Sequence, residues 1–208
     1  LVDGEFLVCR HVILRCGFRH VGIIGGMDTM RGRLLVATPV IESGPFVRSV
    51  VFMLDHDADG ALAVIVNRPL DSDVDEVLPD WADFVNAPVC LFDGGPVAMD
   101  SALALGVIAD TAPPLGWRQM AGRVGLVDLE GPLPSTGDFA GLRVFAGYAG
   151  WGPGQLEDEV EEGSWLVVDA EDADLLSPQP ETLWREVLRR QDNDVRFWTT
   201  FPDDPSAN

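Results

Sequence analysis

Apolar and polar positions along the chain fall into short blocks rather than long helical stripes. RLLVATP at 33–39, VRSVVFML at 47–54 and ALAVIV at 61–66 are apolar runs rich in branched residues, the pattern of buried strands. Between the last two, Asp57-Ala58-Asp59-Gly60 supplies the residue types that tolerate positive φ, which predicts a hairpin. Asn67-Arg68-Pro69-Leu70 leaves the second strand, and Pro69, which has no N–H to donate, is expected to block further ladder pairing. Val74, Val77, Leu78 and Trp81 recur at i, i+3, i+4 and i+7 and predict an amphipathic helix, capped by Ser72 or Asp73 and split into short turns by Pro79.

Strands are predicted again at 88–93, 101–109, 123–129, 142–149 and 165–170. QLEDEVEEG reads as a short helix whose early acids suit the positive end of the helix dipole. Residues 181–190 read as another, with Leu183, Trp184, Val187 and Leu188 on one side. VRFWTT closes the fold. Strands dominate and helices do not alternate regularly with them, which gives an α+β class. The expected organisation is one domain over 31–200, an N-terminal extension outside the fold over 1–30, and a free tail over 201–208. The extension begins with Leu rather than Met, with Met27 and Met30 just ahead of the first clear strand, as an over-long gene reading would.

Composition narrows the function classes. Acids outnumber bases 34 to 14, for a net charge of −20, and every base is Arg. A chain without Lys runs no Schiff-base chemistry and no lysine-dependent phosphate loop. The negative charge repels phosphate backbones, so direct nucleic-acid binding is disfavoured. No run of eighteen apolar residues exists, and no membrane span is expected. Three cysteines are too few for a disulfide framework, and Cys90, in PVCLF, reads as a small buried hydrophobe; a reducing cytoplasm is the expected location.

Catalytic and metal signatures are sparse. Asp55, Asp57, Asp59 and Gly60 begin like a calcium loop, but the twelfth position is Val66, where the cage needs a bidentate Glu. Cys9, His11, Cys16 and His20 supply four ligand types within twelve residues at a spacing foreign to common zinc fingers; a loosely packed tail competes with that reading. G-x-S-x-G, H-E-x-x-H and the P-loop are all missing. No cofactor is expected. His56 is the one histidine outside the first 30 residues and is read as a turn residue. The acids at 157–162 read as a solvated helix face.

The most unusual stretch is GYAGWGPGQLEDE, residues 147–159, with four glycines in its first eight residues. Glycine lets a backbone turn sharply or approach another closely. Two readings stand for it: a tight strand-to-helix turn with Tyr148 and Trp151 in the core, or the wall of a pocket.

This loop, together with NRPL at 67–70, GGPV at 94–97 and TPVIESGPFVRSVVFMLDHDADGALAVIVNRP at 38–69, resembles the AlgH/YqgE family of bacterial proteins over residues 33–200. The resemblance implies a single α+β domain, with a compact, barrel-like, mainly antiparallel sheet flanked by short helices. It implies no established catalytic activity; the family carries a transcriptional-regulator label. Its shared segments are expected to meet at one cleft, lined by Arg48, Asn67, Arg68, Gly94, Gly95, Tyr148, Trp151, Gln155 and Glu157. Arg48 and Arg68 would face an anion there. The expected function is non-catalytic: regulation, or binding of a small ligand or protein partner. The competing expectation is a hydrolase-like enzyme using Glu157 or His56 as base in the same cleft.

Overall fold

The structure is a computed structural model that describes residues 7–8, 29–109, 112–192 and 194–201. The expectations for the N-terminal extension, its Cys9/His11/Cys16/His20 set and the tail beyond 201 concern residues almost wholly outside that range. Among the described residues the strands are β1 (Leu7–Val8), β2 (Arg33–Ala37), β3 (Val50–Asp57), β4 (Gly60–Ile65), β5 (Pro69–Asp73) and β6 (Cys90–Asp93). They continue with β7 (Val97–Ile108), β8 (Trp117–Ala121), β9 (Val124–Val127), β10 (Phe139–Trp151) and β11 (Trp165–Asp169).

These strands form one curled, mostly antiparallel sheet with the main path β11-β2-β3-β4-β10-β7-β9-β8. Two pairings are parallel: β10 with β6, and β1 with β7 at Ser101 and Ala102. The long β10 joins the two halves. From Phe139 to Tyr148 it pairs with β7; from Ala149 to Trp151 it pairs with β4. The register slips between Ala146 and Tyr148, where Gly147 takes φ 72°, and this bulge turns the strand from one half to the other. Arg31 Nε donates to Met120 O at 2.6 Å, drawing β8 toward the chain that enters β2 and curling the sheet into a half-barrel. This is the single α+β domain expected from pattern and resemblance.

The apolar runs have a simple cause. Along β2, Leu34 and Val36 face the central core between the two halves, while Leu35 and Ala37 face an outer cluster with Trp151, Leu156 and Trp165. Both faces are therefore buried, so both parities of the strand are apolar. Each such Leu, Val or Ile contributes about 1.5–3 kcal/mol through burial. A third cluster, around Val74, Trp81, Leu142 and Val144, covers the outer face of the β7/β10 half.

The hairpin forms as expected: β3 and β4 pair antiparallel, with Asp57 opposite Gly60. The calcium-like acids serve the turn and its approach, Asp57 Oδ1 accepting from Asp59 N and Asp55 Oδ1 from His56 N. Pro79 divides the predicted helix into an α-turn at Val74–Val77 and a 3₁₀ segment at Pro79–Phe84; Asp73 sits at the N-cap without a side-chain bond. Four elements differ from the sequence reading. Pro69 does not stop strand pairing, because it opens β5 on a new partner, β6, as first residue, where a missing N–H costs little. β10 runs on through Gly150 and Trp151, so the loop starts only at Gly152. β8 and the helix Asp172–Leu175 lacked a clear signal, being short.

Candidate functional site

Local backbone needs explain most of the Asn67–Arg68 corner. Val50 opens β3 opposite Val36 of β2, and on the β4 side its O accepts from Val66 N. Asn67 completes that edge: its Oδ1 accepts from Val50 N at 2.7 Å and its Nδ2 donates to Arg48 O at 3.0 Å. Arg48 itself lies at φ 54°, a left-handed conformation unusual for a residue with a side chain. Its guanidinium stands 5.3 Å from the Trp184 ring centre and donates to Phe201 O. Arg68 crosses the same segment, Nη2 donating to Val47 O at 2.9 Å. Arg68 is half-buried, and desolvation lowers its pKa, partly offset by the nearby Asp93 carboxylate.

The glycines mark a backbone crossing. Gly94 N donates to Ala146 O, and Gly94 O accepts from Ile65 N, so the chain after β6 is bonded into both halves of the sheet. A Cβ on Gly95 (φ 140°) would meet the Tyr148 backbone at 2.5 Å, and one on Gly147 would meet Gly95 O at 2.7 Å. Two family-like segments thus touch main chain to main chain, leaving no room for side chains. Tyr148 lies half-buried beside the central core.

Trp151, Gln155 and Glu157 belong to a different neighbourhood. Trp151 lies opposite Ala61, six residues and about 20 Å of strand from Asn67. Its ring is buried, stacked 5.8 Å from Phe46 and edge-on to Trp165 at 6.0 Å. Glu159 organises this cluster: its Oε2 accepts from both indole N–H groups, at 2.9 and 2.8 Å, and its Oε1 accepts from Gln155 Nε2. Gln155 Oε1 in turn accepts from Gly152 N. Of the two readings of the loop, Trp151 takes the core one. The two neighbourhoods are linked through residues 46–48, with Phe46 on Trp151 and the next two carbonyls bonded by Arg68 and Asn67.

His56 is buried rather than lodged in the turn. Its Nδ1 accepts from Met30 N at 3.1 Å and its Nε2 meets Glu157 Oε1 at 3.0 Å. A backbone N–H only donates, so Nδ1 carries no proton. The proton is on Nε2 and is donated to Glu157. The ring is thereby committed on both nitrogens, which argues for a clasp between the chain entering β2 and the helix Gln155–Glu161.

An open cavity of about 760 Å³ lies at the other neighbourhood, lined among others by Arg68, Asp71, Asp73, Cys90, Asp93 and Glu181. Asn67 also lines it, whereas Trp151, Gln155 and Glu157 do not. Behind its wall stands Arg143, completely buried. The β10–β6 register sets Phe145 beside Phe92 and, carried back two residues, Arg143 beside Cys90. The guanidinium lies 4.2 Å from the Phe92 ring centre, and Nη2 donates to Ala87 O and Ser177 O at 3.2 and 2.9 Å. Nε and Nη1 have no partner. Burial pulls the Arg143 pKa down to about 10, against the weaker opposing pull of Cys90 and Glu181. Burial likewise raises the Cys90 thiol, and Arg143 works against that rise. Arg190, by contrast, holds buried Asp174 in two bonds of 2.6 and 2.7 Å.

Sequence reading missed Arg143, Glu159 and Glu181, and took Cys90 only as packing. Arg143 did leave a signal: an Arg in LRVFAG, on the same strand parity as Phe145, breaks a core pattern. Glu159 left none that sets it apart from its acidic neighbours. No group of three or more His, Cys, Asp or Glu among the described residues is placed to hold a metal, and no described helix is long and apolar enough to cross a membrane.

Comparisons with known proteins agree with this fold. The AlgH-like family model matches residues 34–196. A UPF0301 protein of Streptomyces coelicolor is 54% identical over 187 residues, covering 88% of this chain and 97% of that protein. One from Mycobacteroides abscessus is 42% identical over 183 residues, covering 85% and 87%. A crystal structure of a Corynebacterium diphtheriae protein superposes with a TM-score of 0.76 at 31% identity, over 86% of this chain and 95% of that one. The solution structure of AlgH from Pseudomonas aeruginosa, at 21% identity and TM-score 0.61 over 88% of this chain and all of that one, shares the fold. The chain belongs to the AlgH-like family.

Proposed function

We propose that this AlgH-like chain is a non-catalytic cytoplasmic protein that exerts a regulatory effect by binding a small ligand in the cavity beside Asn67 and Arg68. One observation carries the reading. A cavity of about 760 Å³, within the range of small-molecule sites, is lined by a half-buried Arg whose partners are a carbonyl and a neighbouring carboxylate. The Gly94–Gly147 crossing gives that cavity a rigid frame, which favours recognition over motion. A regulatory effect through a protein partner fits the same frame better than direct DNA contact, because a net charge of −20 opposes a phosphate backbone.

The test is a small-molecule library screened by amide chemical-shift mapping on the intact chain and on Arg68→Ala. Hits that move the Arg68, Cys90 and Asp93 resonances, and vanish in the variant, support the reading. A library that leaves those resonances still, or hits indifferent to Arg68→Ala, overturns it.

A second reading, hydrolase-like chemistry, draws on the His56–Glu157 contact at 3.0 Å. It needs a base with a free lone pair, and His56 spends Nδ1 on Met30. Turnover of any ester, amide or phosphoester by pure protein, lost in Glu157→Gln, would favour this reading over binding.

A further inference from the structure

The chain enters β2 through a turn at residues 29–33 that is seated on both β3 and β8. On the β3 side Thr29 Oγ1 donates to His56 O, Met30 N to His56 Nδ1 and Gly32 N to Met53 O. On the β8 side Arg31 Nε donates to Met120 O. The fit there is close, since a Cβ on Gly32 (φ 77°) would meet the Ala121 Cβ at 2.5 Å. The turn thus holds the edge strand β8 toward β3, with Met120 buried in the central core. Of the acceptors that seat it, the carbonyls keep their lone pairs at any ordinary pH. His56 Nδ1 does not: histidine is the side chain whose charge ordinarily changes between about pH 5 and 8. Nε2 already carries a proton and donates it to Glu157, so a second proton has only Nδ1 to occupy. There it sets a donor against the Met30 N–H, on a buried ring.

The ring itself stays in place when charged, because Glu157 Oε1 lies 3.0 Å from Nε2 and binds an imidazolium more strongly than a neutral ring. The other charged groups on the elements around it are Asp55 and Asp57 of its own strand, Arg31 of the turn, Arg118 of β8 and Asp158 beside Glu157. The acids favour the second proton and the two arginines oppose it. The group that yields is therefore the Met30 amide. We infer that His56 is a proton-operated latch: a second proton on Nδ1 displaces Met30 N, loosens the turn and frees β8 along this seam, while the rest of the sheet stays folded. Opening uncovers Met120, an apolar side chain of the central core. The latch lies outside the cavity lining and does not rest on the ligand reading.

The experiment follows the intact chain from about pH 8 to about pH 5 by nitrogen-15 shifts of the His56 ring and by amide-exchange protection, corrected for the intrinsic effect of pH on exchange. As Nδ1 gains its proton, protection of the Met30 and Gly32 amides should fall about tenfold, and the amide shifts of Met120 and Ala121 should move. Protection of Leu142–Phe145 should hold. His56→Asn offers Met30 N a carbonyl oxygen that does not titrate, and should keep that protection equal at both ends of the range. Glu157→Gln changes a half-exposed helix position and removes the charge that favours the imidazolium. It should move the loss of protection to lower pH by about half a unit. An Nδ1 that stays bare throughout overturns the inference. So does Met30 protection that ignores Nδ1 protonation, or that falls equally in His56→Asn. Loss of protection across the whole sheet at the same pH would be acid unfolding and would overturn it as well.

Discussion

Two ends of this sheet handle buried polarity in opposite ways. At the Trp151 end the indole N–H groups, Gln155 and His56 all find partners, with Glu159 and Glu157 as acceptors. At the Arg143 end a fully buried guanidinium leaves Nε and Nη1 without a hydrogen-bond partner, behind the wall of a cavity rimmed by exposed acids. Both ends lie close to family-like segments, so a motif does not distinguish them. Satisfaction does. A closed network stabilises a fold, and an open one marks a place where the fold alone is not the whole explanation.

That contrast can be broken experimentally. Glu159→Ala removes one carboxylate and strands two buried indole N–H groups, and should cost about 3 kcal/mol in urea denaturation. A loss below about 1 kcal/mol would mean the Trp151 end is less tightly tied than its bonds imply. Arg143→Met should change stability by no more than about 1 kcal/mol either way, since it trades an unpaired buried cation for an apolar chain at the expense of two carbonyl bonds. A loss as large as that of Glu159→Ala would make Arg143 a structural strut, and the two ends alike.

Glu157→Gln keeps an acceptor for His56 Nε2–H and should cost only about 0.5 kcal/mol. Nitrogen-15 shifts of the His56 ring should show an unprotonated Nδ1 before and after the change; a proton on Nδ1 would undo the clasp. The smallest effect concerns Cys90, whose pKa burial raises from the ordinary 9.0. Peptide-resolved alkylation should be slow at neutral pH and quicken only above pH 9. The folded chain holds this proton more tightly than the unfolded one. The thiol's contribution to stability is therefore intact below pH 9 and is lost as pH rises through the raised value. Ready alkylation at pH 7 would show Cys90 to be less sealed than the structure has it.

Much of the scaffold was legible from local pattern. The runs at 33–39 and 61–66 announced strands because both faces of β2 and β4 are buried, so every position reports burial. The D-A-D-G hairpin and the break at Pro79 followed from backbone chemistry that acts within a few residues. The site was legible only in pieces. Asn67 and Arg68 line a cavity, and Gly94 and Gly95 meet Gly147 and Tyr148 main chain to main chain. Trp151, Gln155 and Glu157 attend to Glu159 and His56 instead, and the same Gly-rich loop contains both behaviours.

The sequence by itself determined the α+β class, the positions of most strands and turns, the acidic surface and the family. These depend on propensity, periodicity and composition, which are properties of neighbours along the chain. Only the tertiary structure decided that β10 bends at Gly147 to serve both halves of the sheet, that Pro69 starts a strand, and that Arg143 rather than Arg48 stands behind the cavity. Strand order and register bring together residues such as Cys90, Arg143 and Glu181 that are far apart in sequence. No local pattern encodes which buried donor will be left without an acceptor.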